Sequence, residues 1–293
     1  MEGPQAPRRW LELTNNVAPP TILNVWNLEC PAPDPWCLLK YLIAIPTYNE
    51  QKHVSRVLKR VLEFADNVLV IDDGSTDGTP CLLPNSPVEV IRHAVNRGYG
   101  RSLQDAFRWA EVDHYDWVIT MDCDEQHEPE AIPRFVEAAQ AGTHDIISGS
   151  RYLEPSECDD SPPANRRKIN AQITRELNEC LGLAVTDAFC GFKAYRLAAI
   201  RKLHLDVDGY EFPMQFWVQA VASKLRIREI PVRLIYNDPN RTFGGPLDDD
   251  CVRIAHYRNA LEREIARCAD RLPASALRAS EMCEGNSPAE CRC

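Results

Sequence analysis

Trp117-Val-Ile-Thr-Met-Asp-Cys-Asp124 is an apolar run that stops on two carboxylates, and the reading of that junction decides the fold. A short uncharged run of this kind reads as a strand buried on both faces. An ionised carboxylate at the edge of a packed core is costly unless it is paired or meets a cation, and two of them repel unless a cation lies between. Oxygen ligands on a short turn suit Mg²⁺ or Mn²⁺, hard ions that also grip phosphate oxygens. The plainer alternative is that Asp122 and Asp124 cap the helix beginning near Pro129.

Upstream, Tyr41-Leu-Ile-Ala-Ile-Pro46 is another apolar run of strand length. Thr47-Tyr-Asn-Glu50 follows, and then a helix whose apolar positions Val54, Val57, Leu58, Val61 and Leu62 keep to one face. Val68-Leu-Val-Ile71 ends in Asp72-Asp-Gly-Ser-Thr-Asp-Gly-Thr79, a run of turn formers and helix caps. Val88–Arg92 reads as a strand, Asn96–Gly100 as a turn, and Leu103, Ala106, Phe107 and Ala110 mark the next helix. Asp145-Ile-Ile-Ser148 leads to Arg151 and Tyr152. Strands alternating with amphipathic helices give an α/β class, a mainly parallel Rossmann-like sheet with helices on both faces. Ligands of such sheets bind beyond the carboxyl ends of the strands, where this chain places Tyr48 and Glu50, Asp72 and Asp73, and Asp122 and Asp124. Neither a Gly-x-Gly-x-x-Gly turn nor a phosphate-binding loop with Gly-Lys-Ser/Thr occurs, so a diphosphate must be neutralised by a metal ion or by arginines.

Downstream, the acidic loop from Glu154 to Pro163 reads as mobile, and Arg166, Arg167 and Lys168 open a helix with Ile169, Ile173 and Leu177 on its apolar face. That basic cluster is weighed evenly between an anion site and a solvated helix face. A helix carrying Phe212, Phe216, Trp217 and Val221 reads as core, Ile227–Tyr236 as a late strand, and about Asp248 to Cys268 as the closing helix. Arg241 stands among turn residues, which favours a ligand-facing role.

The net charge of −10 argues against a nucleic-acid partner. No run approaches the ~18 apolar residues a membrane helix needs, and no secretory pattern opens the chain. A cytoplasmic protein is expected, or one peripheral on the cytoplasmic membrane face. Twelve cysteines are scattered without paired Cys-x-x-Cys spacing and read as mostly reduced core residues. Residues 1–38 read as an irregular extension, although Trp10, Trp26 and Trp36 imply that it packs. Residues 39–270 form the main domain, and 271–293 a disordered tail.

Ile45-Pro-Thr-Tyr-Asn-Glu50, Ile71-Asp-Asp-Gly-Ser-Thr-Asp-Gly-Thr79, Met121-Asp-Cys-Asp-Glu-Gln-His-Glu-Pro129 and Asp187-Ala-Phe-Cys-Gly-Phe192 resemble, in that order, the motifs of family 2 glycosyltransferases, in the dolichol-phosphate mannose synthase-like branch. The resemblance spans about Tyr41 to Asp238. It implies the GT-A nucleotide-diphospho-sugar transferase fold and an inverting transfer that depends on Mg²⁺ or Mn²⁺. Mannose or glucose would pass from a donor of GDP-mannose or UDP-glucose type to a polyprenyl (dolichol-type) phosphate. Carried over residue by residue, Pro46, Tyr48, Glu50, Asp72 and Asp73 hold the nucleoside, with Cys123 and Arg151 also at the donor. Asp122, Asp124 and Gln126 hold the metal and diphosphate, Arg166 and Arg167 bind the acceptor, and Asp124, Arg241 and Glu211 are catalytic.

Two departures fall at the acceptor. Gly244-Gly-Pro-Leu-Asp248 lacks the lysine of the family's usual Gly-x-Ser-Lys-Leu, and Gln215 stands where a glutamate is common, with Glu211 one turn earlier. Two alternatives therefore stay open. One is a same-fold transferase acting on a hydroxyl of a polysaccharide, glycolipid or small molecule, which needs a carboxylate base. The other is a non-catalytic sugar-nucleotide-binding protein.

Overall fold

The computed structural model describes residues 10–13, 39–154, 156, 159–237 and 245–276. Among them eight strands form one sheet: β1 (Trp10–Leu13), β2 (Tyr41–Thr47), β3 (Val68–Asp72), β4 (Glu89–His93), β5 (Trp117–Thr120), β6 (Ile146–Ser150), β7 (Lys193–Arg196) and β8 (Ile227–Pro231). Their order is β1-β4-β3-β2-β5-β7-β6-β8. All neighbours are parallel except β7, which runs antiparallel to both β5 and β6. The helices are α1 (Val54–Val61), α2 (Thr79–Leu82), α3 (Tyr99–Val112), α4 (Ile132–Gln140), α5 (Ala164–Leu181), α6 (Leu197–Ile200), α7 (Phe212–Ala222) and α8 (Asp250–Arg267).

Period-two alternation along β2 assigns the two faces. Leu42 and Ala44 enter a core shared with Leu103 of α3, Leu177 of α5, Trp217 of α7 and Leu261 of α8. Ile43 and Ile45 enter a second core with Leu58 of α1 and Phe135 of α4. Every residue of β3 and β5 is buried, as expected of strands covered by helices on both sides. This is the expected α/β architecture, and it leaves only the strand ends open to ligands.

The structure corrects several local expectations. Within the 1–38 segment, expected to be irregular, Trp10–Leu13 pairs with β4 as the edge strand, and the remainder lies outside the described residues. Strand β7 was not anticipated, because Lys-Ala-Tyr-Arg offers too short a run for period counting and gains its order by pairing on both sides. The late strand stops at Pro231 rather than Tyr236, since proline lacks the N–H that a ladder needs. In the described part of the 154–163 loop, Asp160 N–H donates to the Leu234 carbonyl at 2.9 Å. Within the 271–293 segment, expected to be a tail, Ala276 is fully buried and the Ser275 hydroxyl donates to the Cys180 carbonyl at 2.9 Å, and residues 277–293 lie outside the described residues. Cys123, Cys190 and Cys268 are free and buried, whereas Cys251 is disulfide-bonded. No helix among the described residues is long and apolar enough to cross a membrane.

Candidate active site

A cavity of about 350 Å³ opens at the carboxyl ends of β2, β3, β5 and β6, within the usual size range of small-ligand sites. Its β2–β3 wall is one platform made of two loops. Asn49 adopts φ +56°, and its side-chain carbonyl accepts from the N–H groups of Thr76 (2.8 Å) and Asp77 (3.3 Å). Gly78 N–H donates to Gln51 Oε1 at 2.7 Å, which closes the second link. Pro46, the 44 % exposed Tyr48 and the buried Glu50 face the cavity from this platform.

Asp72 and Asp73, expected as a pair at the nucleoside, take different places. Asp72 is fully buried beneath the turn, accepts from Ser75 N–H at 3.0 Å, lies 3.3 Å from Arg92 Nε, and does not line the cavity. It is the last in-register residue of β3, opposite Thr47 of β2 and Arg92 of β4. Asp73 does line the cavity, and it braces the next loop by accepting from His93 Nδ1 (2.6 Å), Arg97 N–H (2.8 Å) and Gly98 N–H (2.8 Å). His93 Nε2 in turn meets Asp105 Oδ2 at 3.0 Å, and Arg101 and Arg108 hold that same carboxylate. Burial opposes charge on His93, but its hydrogen bonds to Asp105 and Asp73 outweigh it and raise the imidazole pKa. Burial likewise opposes charge on Asp105, yet His93 and Arg101 bring that carboxyl down to about 2.

The acidic turn does not cap the helix near Pro129. A 3₁₀ turn, Pro129–Ala131, precedes α4 with Glu128 at its N-cap and no side-chain cap bond. Instead Asp122, Cys123, Asp124 and Gln126 all line the cavity. Asp122 N–H donates to His127 Nδ1 at 3.0 Å, so the ring proton sits on Nε2, 3.7 Å from Asp122 Oδ2. Burial pushes the His127 pKa down to about 4, which leaves the ring neutral at pH 7. A Cβ on Gly191 would stand 2.5 Å from Asp122 Oδ2, so the glycine admits this carboxylate. Asp124 Oδ1 accepts from Gln126 N–H at 3.0 Å, and its backbone carbonyl accepts from Asn237 Nδ2 at 3.0 Å. Glu125, at φ +61°, turns outward onto Arg56 and His53. The Gln126 amide nitrogen is buried without a hydrogen-bond partner among the described residues. Amide N and O exchange by a flip, so the end of this side chain can present an oxygen as readily.

Two carboxylates and one such amide are a donor set that suits Mg²⁺ or Mn²⁺, which takes few protein oxygens and completes its shell with substrate phosphates and water. No group of three or more His, Cys, Asp or Glu side chains able to hold a metal occurs among the described residues. Asp122, Asp124 and Gln126 fit such an ion.

The β6–β8 wall is cationic and aromatic. Arg151 lines the cavity but is engaged: its guanidinium grips fully buried Asp187 at 2.6 and 3.0 Å, and Asn170 Nδ2 donates to the same carboxylate at 3.0 Å. Burial opposes ionisation of Asp187, yet Arg151 holds its pKa at about 2. Arg167 lies over the Tyr152 ring at 5.9 Å and Arg166 over the Tyr236 ring at 5.7 Å, both from the first turn of α5. Lys193 and Arg253 line the cavity as well and were not anticipated. Lys193 is buried, donates to the Cys190 carbonyl and lies 5.6 Å from the Trp217 ring centroid, and burial lowers its pKa. A lysine directly after Gly191-Phe192, inside an apolar stretch, was the available signal.

Glu211, expected to be catalytic, stands apart from the other expected site residues. It does not line the cavity; its carboxylate meets His256 Nε2 at 2.9 Å and faces a separate depression with Gln215 and Arg263. Gln215 is fully buried and bonds Asp206, Val207 and Glu264, which makes it scaffold. Arg241 lies outside the described residues.

Residues 42–204 match the model of the glycosyl transferase family 2 domain. The undecaprenyl-phosphate mannosyltransferase of Micrococcus luteus is 30% identical over 241 residues, which is 78% of this chain and 98% of that protein. The polyprenol monophosphomannose synthase of Mycolicibacterium smegmatis is 30% identical over 237 residues, covering 76% of this chain and 89% of that protein. Among solved structures, glucosyl-3-phosphoglycerate synthase from Mycobacterium tuberculosis, crystallised with Mn²⁺, UDP and glucosyl-3-phosphoglycerate, superposes with a TM-score of 0.57 at 18% identity over 81% of this chain and 82% of that one. That likeness is one of fold. The paired carboxylates at the end of β5, the platform beside them and the match over 42–204 together place this chain in glycosyl transferase family 2, as a glycosyltransferase of GT-A fold.

Proposed function

We propose that this enzyme moves a hexose, mannose or glucose, from a nucleoside-diphosphate sugar to a polyprenyl phosphate, with inversion and with Mg²⁺ or Mn²⁺. The observation that carries the reading is the asymmetry of the cavity wall. Its described carboxylates are Glu50, Asp73, Asp122 and Asp124, all on the β2, β3 and β5 ends, while the opposite side carries Arg151, Arg166 and Arg167. A phosphate acceptor is already an anion at pH 7, so cations serve it and a general base does not. The names of the Micrococcus and Mycolicibacterium relatives support the same acceptor class and a mannosyl donor.

In this reading Pro46, Tyr48 and Glu50 seat the nucleoside, and Asp73 keeps the Arg97–Gly98 turn in place beside it. Asp122, Asp124 and Gln126 hold the divalent ion, with neutral His127 fixing the backbone from which Asp122 projects. The ion would supply Lewis-acid stabilisation of the charge that gathers on the leaving diphosphate. Arg166 and Arg167 orient the acceptor phosphate for attack on the face of the sugar opposite the leaving group. Asp187 keeps Arg151 rigid, so that its charge acts at a fixed point. Peripheral association with a membrane follows if the acceptor is a lipid.

The test is a transfer assay with GDP-mannose and UDP-glucose against a polyprenyl phosphate and a panel of neutral glycans, with Mn²⁺ and with EDTA. Metal-dependent glycosylation of the polyprenyl phosphate is expected. Glycosylation of neutral hydroxyls alone would replace the acceptor assignment, and undiminished activity in EDTA would remove the metal.

A further inference from the structure

Two buried polar atoms in the cavity wall have no hydrogen-bond partner among the described residues: the Gln126 amide nitrogen and the Tyr236 hydroxyl. Gln126 belongs to the acidic turn. Tyr236 belongs to no helix or strand, yet its place is fixed from both sides. Its N–H donates to Asp160 Oδ2 at 2.8 Å, and Leu234 N–H donates to Asp159 Oδ1 at 3.1 Å. The next residue, Asn237, is tied to the Asp124 carbonyl at 3.0 Å. The tyrosine is therefore held between the acidic turn, through Asn237, and Asp159 and Asp160, through the Leu234 N–H and its own. Its ring also lies 5.7 Å from the Arg166 guanidinium, close enough for a cation–π contact.

A hydroxyl buried without a partner destabilises a folded chain, and such a group inside a ligand cavity is accounted for when the ligand supplies the partner. The dianion of a phosphate monoester, the main form at pH 7, offers only acceptor oxygens, which suits a phenol that donates. We propose that Tyr236 is a specificity-determining residue for the acceptor: its hydroxyl donates to an oxygen of the acceptor's phosphate monoester while its ring seats Arg166 against the same anion. This rests on the polyprenyl-phosphate reading above and adds to it a residue outside the family motifs.

Tyr236→Phe removes the hydroxyl and keeps the ring. Its apparent KM for the polyprenyl phosphate should rise by about 10- to 100-fold, the equivalent of one hydrogen bond to a charged group. Donor affinity, measured by nucleotide titration, should stay unchanged, and the ligand-free variant should melt at a higher temperature than wild type. Tyr236→Leu should lose further acceptor affinity, because Arg166 loses its seat. An unchanged acceptor KM in Tyr236→Phe, or a loss of donor affinity in its place, overturns the inference while wild-type transfer still upholds the acceptor reading. Wild-type protein that glycosylates no polyprenyl phosphate overturns both.

Discussion

On the β2–β3 side of the cavity the contacts that hold the site are sequentially near: Asn49 reaches Thr76 across 27 positions and Asp73 reaches Arg97 across 24. On the β6–β8 side, Leu234 reaches Asp159 across 75 positions and Asn237 reaches Asp124 across 113. The first wall is assembled from successive strand–loop–helix units, each of which delivers its polar residues where its strand ends. The second also needs distant segments to close on one another, at a larger cost in chain entropy, beside the nearer Arg151–Asp187 pair. The walls also handle buried charge differently. Asp73, His93 and Asp105 form a chain that includes a titrating imidazole, whereas Arg151 and Asp187 are a pair whose carboxyl titrates near 2. The β2–β3 wall should therefore respond to pH where the β6–β8 wall does not.

The largest expected effect lies where the walls meet. Asp124→Asn should lower transfer by at least about 10²–10³-fold, the usual cost of removing one charge-stabilising group, with an unaltered melting curve. Full activity in that variant would end the metal assignment and leave the acidic turn a scaffold.

Next comes the β6–β8 wall. Asp187→Ala strands a largely buried guanidinium, and breaking a buried pair in this way costs about 3–5 kcal/mol of stability. Urea titration would read it, and a loss below about 1 kcal/mol would mean that Arg151 finds water or another partner with ease.

A smaller effect separates the walls by pH. The His93 pKa is raised in the folded protein, so its stabilisation is complete below the ordinary value near 6.5 and is lost as pH rises through the folded value. Asp105 and Asp187, both near 2, contribute stability above the ordinary carboxylate value near 3.9 that disappears as pH falls towards 2. Denaturant melts from pH 6 to 9 should show a loss for wild type that His93→Gln flattens. The same slope in both proteins would place the alkaline loss elsewhere.

The smallest effect is expected at Glu211, paired with His256 outside the cavity. Glu211→Gln should change kcat/KM by no more than about twofold, the scale of a surface substitution. A drop of about 10²–10⁴-fold is what loss of a general base produces, and it would restore the hydroxyl-acceptor alternative.

The sequence by itself determined the sheet's core strands and the acidic junction at Asp122 and Asp124. Strand runs, helix periods and turn residues are local, and a parallel strand delivers its polar end to the ligand edge whatever its partners do. Even there it could not part Asp72 from Asp73, because which of two adjacent side chains points under the turn depends on the strand's register. Only the tertiary structure decided the β6–β8 side. It turned Glu211 onto His256, committed Arg151 to Asp187, inserted β7 with Lys193 between β5 and β6, and set the Tyr236 ring against Arg166. None of these follows from periodicity, because each is a contact between segments whose separation is fixed by the closure of the whole sheet rather than by the rise of any one element.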